Sequence, residues 1–84
     1  MADAQYFVVL HKGQWKISFN GYFYGPYNFK LEAIGVAVKE AHELGRQGHN
    51  AQVLVQGLDR KAHTEWTYGH DPYPPRDLEV GRNR

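Results

Sequence analysis

The stretch that decides the fold is Gln-Tyr-Phe-Val-Val-Leu-His-Lys, residues 5–12. Aromatic and β-branched side chains dominate this stretch, as is typical of a β-strand. Its alternate positions are apolar on both sides, with Tyr6, Val8 and Leu10 on one and Phe7 and Val9 on the other. This pattern favours a central strand that is covered on both faces.

The residues that follow predict a β-hairpin. Residues 15–20 alternate between apolar and polar side chains, as a half-buried strand does. Asn20 and Gly21 both tolerate a positive φ, and this pair is a strong signal for a two-residue hairpin turn. Residues 22–24 form a short return strand that ends at Gly25 and Pro26.

An amphipathic helix is predicted from about residue 29 to residue 47, with Asn28 as its N-cap and Gly48 as its C-terminal cap. One stripe of the helix is apolar or small, and it comprises Leu31, Ile34, Val38, Ala41 and Gly45. The charged residues, Glu40 and Glu43 among them, lie away from the stripe and are expected to be solvated. Val36 falls on the polar side and is a secondary contact residue.

Two further strands are predicted at residues 51–56 and 62–68. The order along the chain is then β-β-β-α-β-β. We expect an α+β domain in which one helix packs on one face of an antiparallel sheet and leaves the other face open. Residues 1–76 form this single domain, and residues 77–84 are predicted to be a flexible C-terminal tail.

Composition excludes several classes of protein. The chain has 84 residues, which suits one small domain, and no cysteine, which excludes thiol catalysis and cysteine-ligated zinc. Ten basic residues against nine acidic ones give a weak overall field, so strong nonspecific binding of nucleic acid is not implied. No apolar run is long enough for a membrane span and no signal peptide is evident. We therefore expect a cytoplasmic protein without membrane contacts.

The closing segment, residues 66–76, combines aromatic residues with three prolines. Proline fixes φ and donates no backbone hydrogen bond, so neither a helix nor a central strand continues here. We interpret the segment as a structural strap formed by Tyr68, Asp71, Tyr73, Pro74 and Pro75. The tyrosines would pack on the sheet, and the sequence leaves open whether they do so in the same chain or in a neighbouring one. A proline-rich docking peptide is the alternative.

Several short motifs together resemble a family of short bacterial domains of unknown function. They are Phe7-Val8-Val9, Gly13-Gln14-Trp15, Glu32-Ala33-Ile34, Val53-Leu54-Val55 and the closing Tyr68-Gly69-His70-Asp71-Pro72-Tyr73-Pro74-Pro75. The resemblance covers about residues 6–76 and is weakest between Trp15 and the helix. It implies the same fold and a bacterial or phage origin, and it implies no activity.

The segment from Phe19 to Phe29 is unusually rich in aromatic residues. Some of these rings belong to the core, and the others are expected to form a binding surface with the open sheet face. The predicted partner-binding residues are Tyr22, Tyr24 and Tyr27, supported by Lys16 and Asn20. A protein partner or self-association is favoured, because aromatic surfaces suit protein contacts.

A nucleic-acid-binding module is the alternative, since aromatic side chains on an open sheet stack on unpaired bases. Lys12, Lys16 and Lys30 would then contact phosphates. The low net positive charge and the lack of an RNP-like sequence count against it.

Catalytic and metal-binding patterns are weak. His63, Glu65 and His70 lie near one another in sequence, but their spacing matches no specific zinc pattern. Ser18 is the only serine and has no nucleophile elbow around it. No glycine-rich phosphate loop precedes the helix, and the carboxylates are scattered. We therefore expect a non-enzymatic binding or regulatory domain without a metal or a cofactor.

Overall fold

A computed structural model describes residues 3–75. It contains five strands and one helix: β1 Asp3–His11, β2 Gln14–Phe19, β3 Tyr22–Tyr27, α1 Lys30–Arg46, β4 Asn50–Gln56 and β5 Ala62–Thr67. The predicted tail at residues 77–84 lies outside the described residues. Within the described range, no helix combines the length and the apolar character needed to cross a membrane.

The strands form one sheet in the spatial order β3-β2-β1-β4-β5. The α+β class, with one helix and one sheet, is confirmed. The prediction of an antiparallel sheet is wrong, because β1 pairs with β4 in parallel, and the strands do not lie side by side in chain order. The reason is the helix: α1 returns the chain along the sheet after β3, so β4 runs in the same direction as β3 and β1.

Strand β1 lies at the centre of the sheet, between β2 and β4, as its apolar character predicts. The expectation that it is covered on both faces is wrong. Ala4, Tyr6 and Val8, which face α1, are buried, whereas Phe7 and Val9 on the opposite face are only half-buried. Leu10, near the end of the strand, is exposed. The second apolar face of the central strand is therefore available for contacts.

The core lies between α1 and the face of the sheet that it covers. Small residues of the helix, Ala33, Ala37 and Ala41, are fully buried and let the helix approach the sheet closely. The sheet contributes eight buried side chains: Ala4, Tyr6, Val8, Ile17, Ala51, Val53, Val55 and Trp66. Burial of this apolar surface is the main stabilising term for so small a domain.

The ends of the helix agree with the prediction only in part. Phe29, not Asn28, is the N-cap residue, and the backbone N–H of Asn28 donates instead to the Glu32 carboxylate at 3.0 Å. At the other end, Gly48 has a φ of 102° and its N–H donates to the Gly45 carbonyl at 3.0 Å. The predicted glycine cap is thus formed, because only glycine adopts this φ without strain.

Candidate functional site

The predicted partner-binding residues lie on two different faces of the sheet. Tyr24 pairs with Ile17 and Tyr27 with Trp15, so both tyrosines project from the face that α1 covers, and Tyr22 does the same. Lys16 pairs with Val9 and projects from the opposite face. Asn20 lies in the hairpin turn with a φ of 52°. The single surface that the sequence predicts is therefore two surfaces.

The first surface, which we call the aromatic groove, lies between α1 and the β2–β3 hairpin. It has a volume of about 420 Å³ and is lined by Tyr6, Ile17, Phe19, Tyr24, Tyr27, Val36 and Glu40. Tyr6 and Ile17 are 6% and 2% exposed and form its floor. The Tyr6 and Phe19 rings are stacked, with centroids 4.1 Å apart and planes within 5°. These contacts hold the aromatic lining in a defined arrangement.

The charge of the groove is negative. Burial raises the pKa of the Tyr6 hydroxyl, and the neighbouring Glu40 and Tyr24 raise it further. Burial also raises the pKa of Tyr27, with additional contributions from Glu32 and Glu40. Among residues 3–75, no basic side chain lies within 4.0 Å of the Glu40 carboxylate. Glu40 is exposed, as predicted, and it also lines this groove.

Val36 is part of the groove wall. The sequence places it on the polar side of the helix, whereas the structure shows it half-buried and packed against the edge of the core. The difference arises because the β2–β3 hairpin extends beside the helix and contacts a second strip of its surface. The helical pattern shows which residues share a face, but it does not show how wide the covering sheet is.

The second surface, which we call the open face, is the side of the sheet away from α1. Its apolar side chains are Phe7, Val9, Phe23 and Leu54, and its polar neighbours include His11, Lys16 and Ser18. Phe23 is 52% exposed. The His11 ring stacks on Phe23 with centroids 4.8 Å apart, and the Lys16 ammonium lies 5.9 Å from the Phe23 centroid. Phe23 is thus an exposed ring beside a histidine and a lysine side chain.

The three lysines proposed to contact phosphates do not share one surface. Lys16 lies on the open face, and Lys12 lies in the β1–β2 turn with a φ of 52°. The Lys30 ammonium lies 5.6 Å from the Trp15 ring on the side of the sheet that α1 covers. Only Lys16 is therefore placed to act together with Phe23.

The strap, residues 68–75, packs on its own chain along the junction between α1 and β5. The Trp66 indole N–H donates to the Pro72 carbonyl at 2.8 Å, and the Thr67 backbone N–H donates to the Asp71 carboxylate at 2.8 Å. The Tyr73 ring stacks on His42 with centroids 3.8 Å apart. The Tyr68 ring also lies near His42, with centroids 5.6 Å apart. Both tyrosines of the strap therefore contact the helix as well as Trp66 of the sheet, which the sequence does not indicate.

The remaining strap residues have different environments. Tyr68 lies against Gly45 of the helix and contacts the edge of Trp66, with ring centroids 6.2 Å apart. Pro74 is exposed, whereas Pro75 is half-buried and lines a depression with Trp66 and Lys30. The strap therefore covers Trp66, the only tryptophan in the buried core of the described residues.

The candidate metal ligands His63, Glu65 and His70 do not form a common site in the described residues. His63 Nε2 lies 3.1 Å from Asp59, and His70 Nδ1 lies 3.7 Å from Asp71. The pKa of Asp59 is lowered, first by the hydrogen bond from the Lys61 backbone N–H and then by the one to His63. In the part of the chain that the structure describes, no group of three metal-ligating side chains comes together.

The sequence does not reveal the aromatic groove, because its lining residues come from four separate elements. The alternating pattern places Tyr6 and Ile17 on apolar sides of their strands, but nothing in their spacing places them beside Glu40. The one usable signal is Val36, an apolar residue outside the main helical stripe. No family model, curated protein or solved structure matches the chain.

Proposed function

We propose that the protein is a non-enzymatic binding or regulatory domain that contacts a protein partner, or a second copy of itself, through the open face. The observation that supports this proposal is the central strand, whose Phe7 and Val9 face away from the helix and are only half-buried. We also propose that the chain belongs to the short bacterial family described above and acts in the cytoplasm of a bacterium or in a phage-infected cell.

Three of the four apolar side chains of the open face, Phe7, Phe23 and Leu54, lie in one row across the sheet, and Ser18 separates Phe7 from Phe23 in it. Leu54 on β4 pairs with Phe7 on β1, Phe7 pairs with Ser18 on β2, and Ser18 pairs with Phe23 on β3. A row of this kind gains free energy when a partner covers it, at about 25 cal/mol for each Å² of apolar area. Aromatic side chains are enriched in protein interfaces, which favours a protein as the covering partner.

The test compares Phe23→Ser with Tyr22→Ser. The two residues are neighbours on β3, both are exposed aromatic residues, and their side chains point to opposite faces of the sheet. We expect sedimentation velocity of the wild-type chain to show concentration-dependent association, or affinity capture from a bacterial lysate to recover one partner. Phe23→Ser should abolish that contact, and Tyr22→Ser should preserve it. Equal effects of the two variants, or no effect of Phe23→Ser, would contradict the proposal.

Nucleic-acid binding is the second candidate, and the pairing of Phe23 with Lys16 and His11 favours it. An exposed ring beside basic side chains is suited to base stacking and phosphate contact. The measurement is an amide NMR titration with a short single-stranded oligonucleotide at low and moderate salt. Salt-sensitive shifts on the open face would establish this function, because phosphate contacts weaken steeply with salt. A silent titration of the folded protein would exclude it.

A further inference from the structure

We propose that the aromatic groove is a binding site for an organic cation, namely an alkylated ammonium group such as that of choline or of a trimethylated lysine side chain. The groove lies on the side of the sheet opposite the open face. The inference therefore goes beyond the function proposed above and does not depend on it.

The lining of the groove has the composition that this ligand requires. Four of its seven residues are aromatic, namely Tyr6, Phe19, Tyr24 and Tyr27. The face of an aromatic ring carries negative charge density and attracts a cation within about 6 Å of its centroid. The volume of about 420 Å³ falls at the small end of the range of ligand pockets, about 300–1,000 Å³, and suits a group of this size.

The charges around the groove favour a cation over a neutral ligand. Glu40 is the charged residue in its lining. Burial is the main cause of the raised pKa values of Tyr6 and Tyr27, and the negative charge of Glu40 adds to both. A neutral apolar ligand would partly remove the Glu40 carboxylate from water without compensating its charge, which is unfavourable. A cation would compensate it directly.

The same chemistry already occurs beside the groove. The Lys30 ammonium lies 5.6 Å from the Trp15 ring, and Trp15 pairs with Tyr27 of the groove lining. An alkylated ammonium group suits the groove better than a metal ion, because residues 3–75 contribute one carboxylate and several rings to the lining. It also brings no N–H donors that would each need an acceptor.

The test is a titration of the full chain, followed by NMR of its tyrosine ring protons, with choline and with 3,3-dimethylbutan-1-ol. The second compound has the shape of choline but no charge. A third arm uses N-acetyl-trimethyllysine methylamide, which distinguishes a protein side chain from a small free cation as the source of the group. We expect choline or the trimethyllysine probe to shift the Tyr6 and Tyr24 resonances at millimolar concentrations, and the neutral alcohol to leave them unchanged.

Two variants and one control locate the site. Glu40→Gln and Tyr24→Leu should each weaken binding about ten-fold, the effect expected for loss of a partly desolvated charge or cation–π contact. Glu43→Gln is the control, because Glu43 lies on the same helix outside the groove and forms an ion pair with Arg46 at 3.2 Å. It should leave binding unchanged.

Any of three results would overturn the proposal. These are no response to either cation, an equal response to the neutral alcohol, and equal effects of Glu40→Gln and Glu43→Gln. Tyr24 is 48% exposed, so its replacement is expected to be tolerated. If Tyr24→Leu nevertheless fails to fold, the comparison of the two glutamate variants still decides the outcome.

Discussion

Replacement of Gly45 by alanine should destabilise this protein, although the same change stabilises most helices. A Cβ built on Gly45 would meet Cγ and both Cδ atoms of Tyr68, and even the farthest of these lies only 2.6 Å away. These atoms belong to the base of the ring, so a small rotation of the side chain does not remove the clash. The added methyl group therefore requires the Tyr68 ring to leave its place on the helix.

The magnitude follows from three opposing contributions. Alanine gains about 1 kcal/mol over glycine in a helix interior, and less at Gly45, which lies in the last turn of α1. Overpacking costs about 1–3 kcal/mol. Displacement of Tyr68 also weakens its ring contacts with Trp66 and His42, at centroid distances of 6.2 Å and 5.6 Å. Each such contact contributes about 0.5–1.5 kcal/mol. We expect a net loss of about 2 kcal/mol, equivalent to a fall in Tm of roughly 8–16 °C for a domain of this size.

Urea denaturation of four proteins measures this effect: the wild type, Gly45→Ala, Tyr68→Ala and the double variant. In the Tyr68→Ala background the clash is absent, so Gly45→Ala should raise the free energy of unfolding by up to about 1 kcal/mol, the gain in helix propensity. The same substitution thus changes sign with its background. If the Gly45→Ala variant that retains Tyr68 is as stable as the wild type, the Tyr68 ring does not exclude a Cβ at this position and the prediction is wrong.

Two further predictions concern the strap and the tyrosines of the groove. Deletion of residues 69–84 removes the acceptor of the Trp66 indole N–H and the ring that stacks on His42. With about 1 kcal/mol for each lost hydrogen bond and ring contact, calorimetry should show Tm falling by more than about 10 °C, whereas deletion of the predicted tail, 77–84, should change little. An unchanged Tm after the longer deletion would contradict the strap interpretation. The second prediction concerns pH: in an alkaline titration of the folded protein, the pKa values of Tyr6 and Tyr27 should lie above the ordinary tyrosine value of about 10. Because the unfolded chain ionises first, their contribution to stability is complete below about pH 10 and is lost as pH rises through the folded pKa. Ultraviolet phenolate absorbance that reports all six tyrosines at the ordinary pKa would show this to be wrong.

Much of the fold follows from local patterns. Alternation in residues 15–20, the Asn20-Gly21 turn and the apolar stripe of the helix each predict an element that the structure contains. These signals are local because side-chain alternation and turn geometry depend on residues close in sequence. The strand direction is not local in this sense. Whether β4 runs parallel or antiparallel to β1 depends on the direction in which the chain returns through α1 and on the strand beside which it then pairs. Both depend on how the helix packs on the sheet.

The sequence predicts that a contact surface exists, but not which residues form it. The richness in aromatic residues between Phe19 and Phe29 indicates a contact surface, but it does not divide the rings between faces. Register makes that division: Phe23 pairs with Ser18 and lies on the open face, whereas Tyr24 pairs with Ile17 and lines the groove. Adjacent residues of one strand therefore belong to two different binding surfaces.

The α+β class, the approximate chain positions of the strands and the helix, the hairpin turn and the glycine cap at Gly48 follow from the sequence alone. All of these depend on backbone preferences and on the periodicity of apolar side chains over a few residues. The predicted end of the return strand is wrong, because β3 continues through Gly25 and Pro26 to Tyr27. Only the tertiary structure shows the mixed sheet, the proximity of Tyr6 to Glu40, and the contacts of the strap with His42 and Gly45. Each of these joins residues that are distant in sequence, and their proximity depends on how the helix packs on the sheet rather than on any local preference.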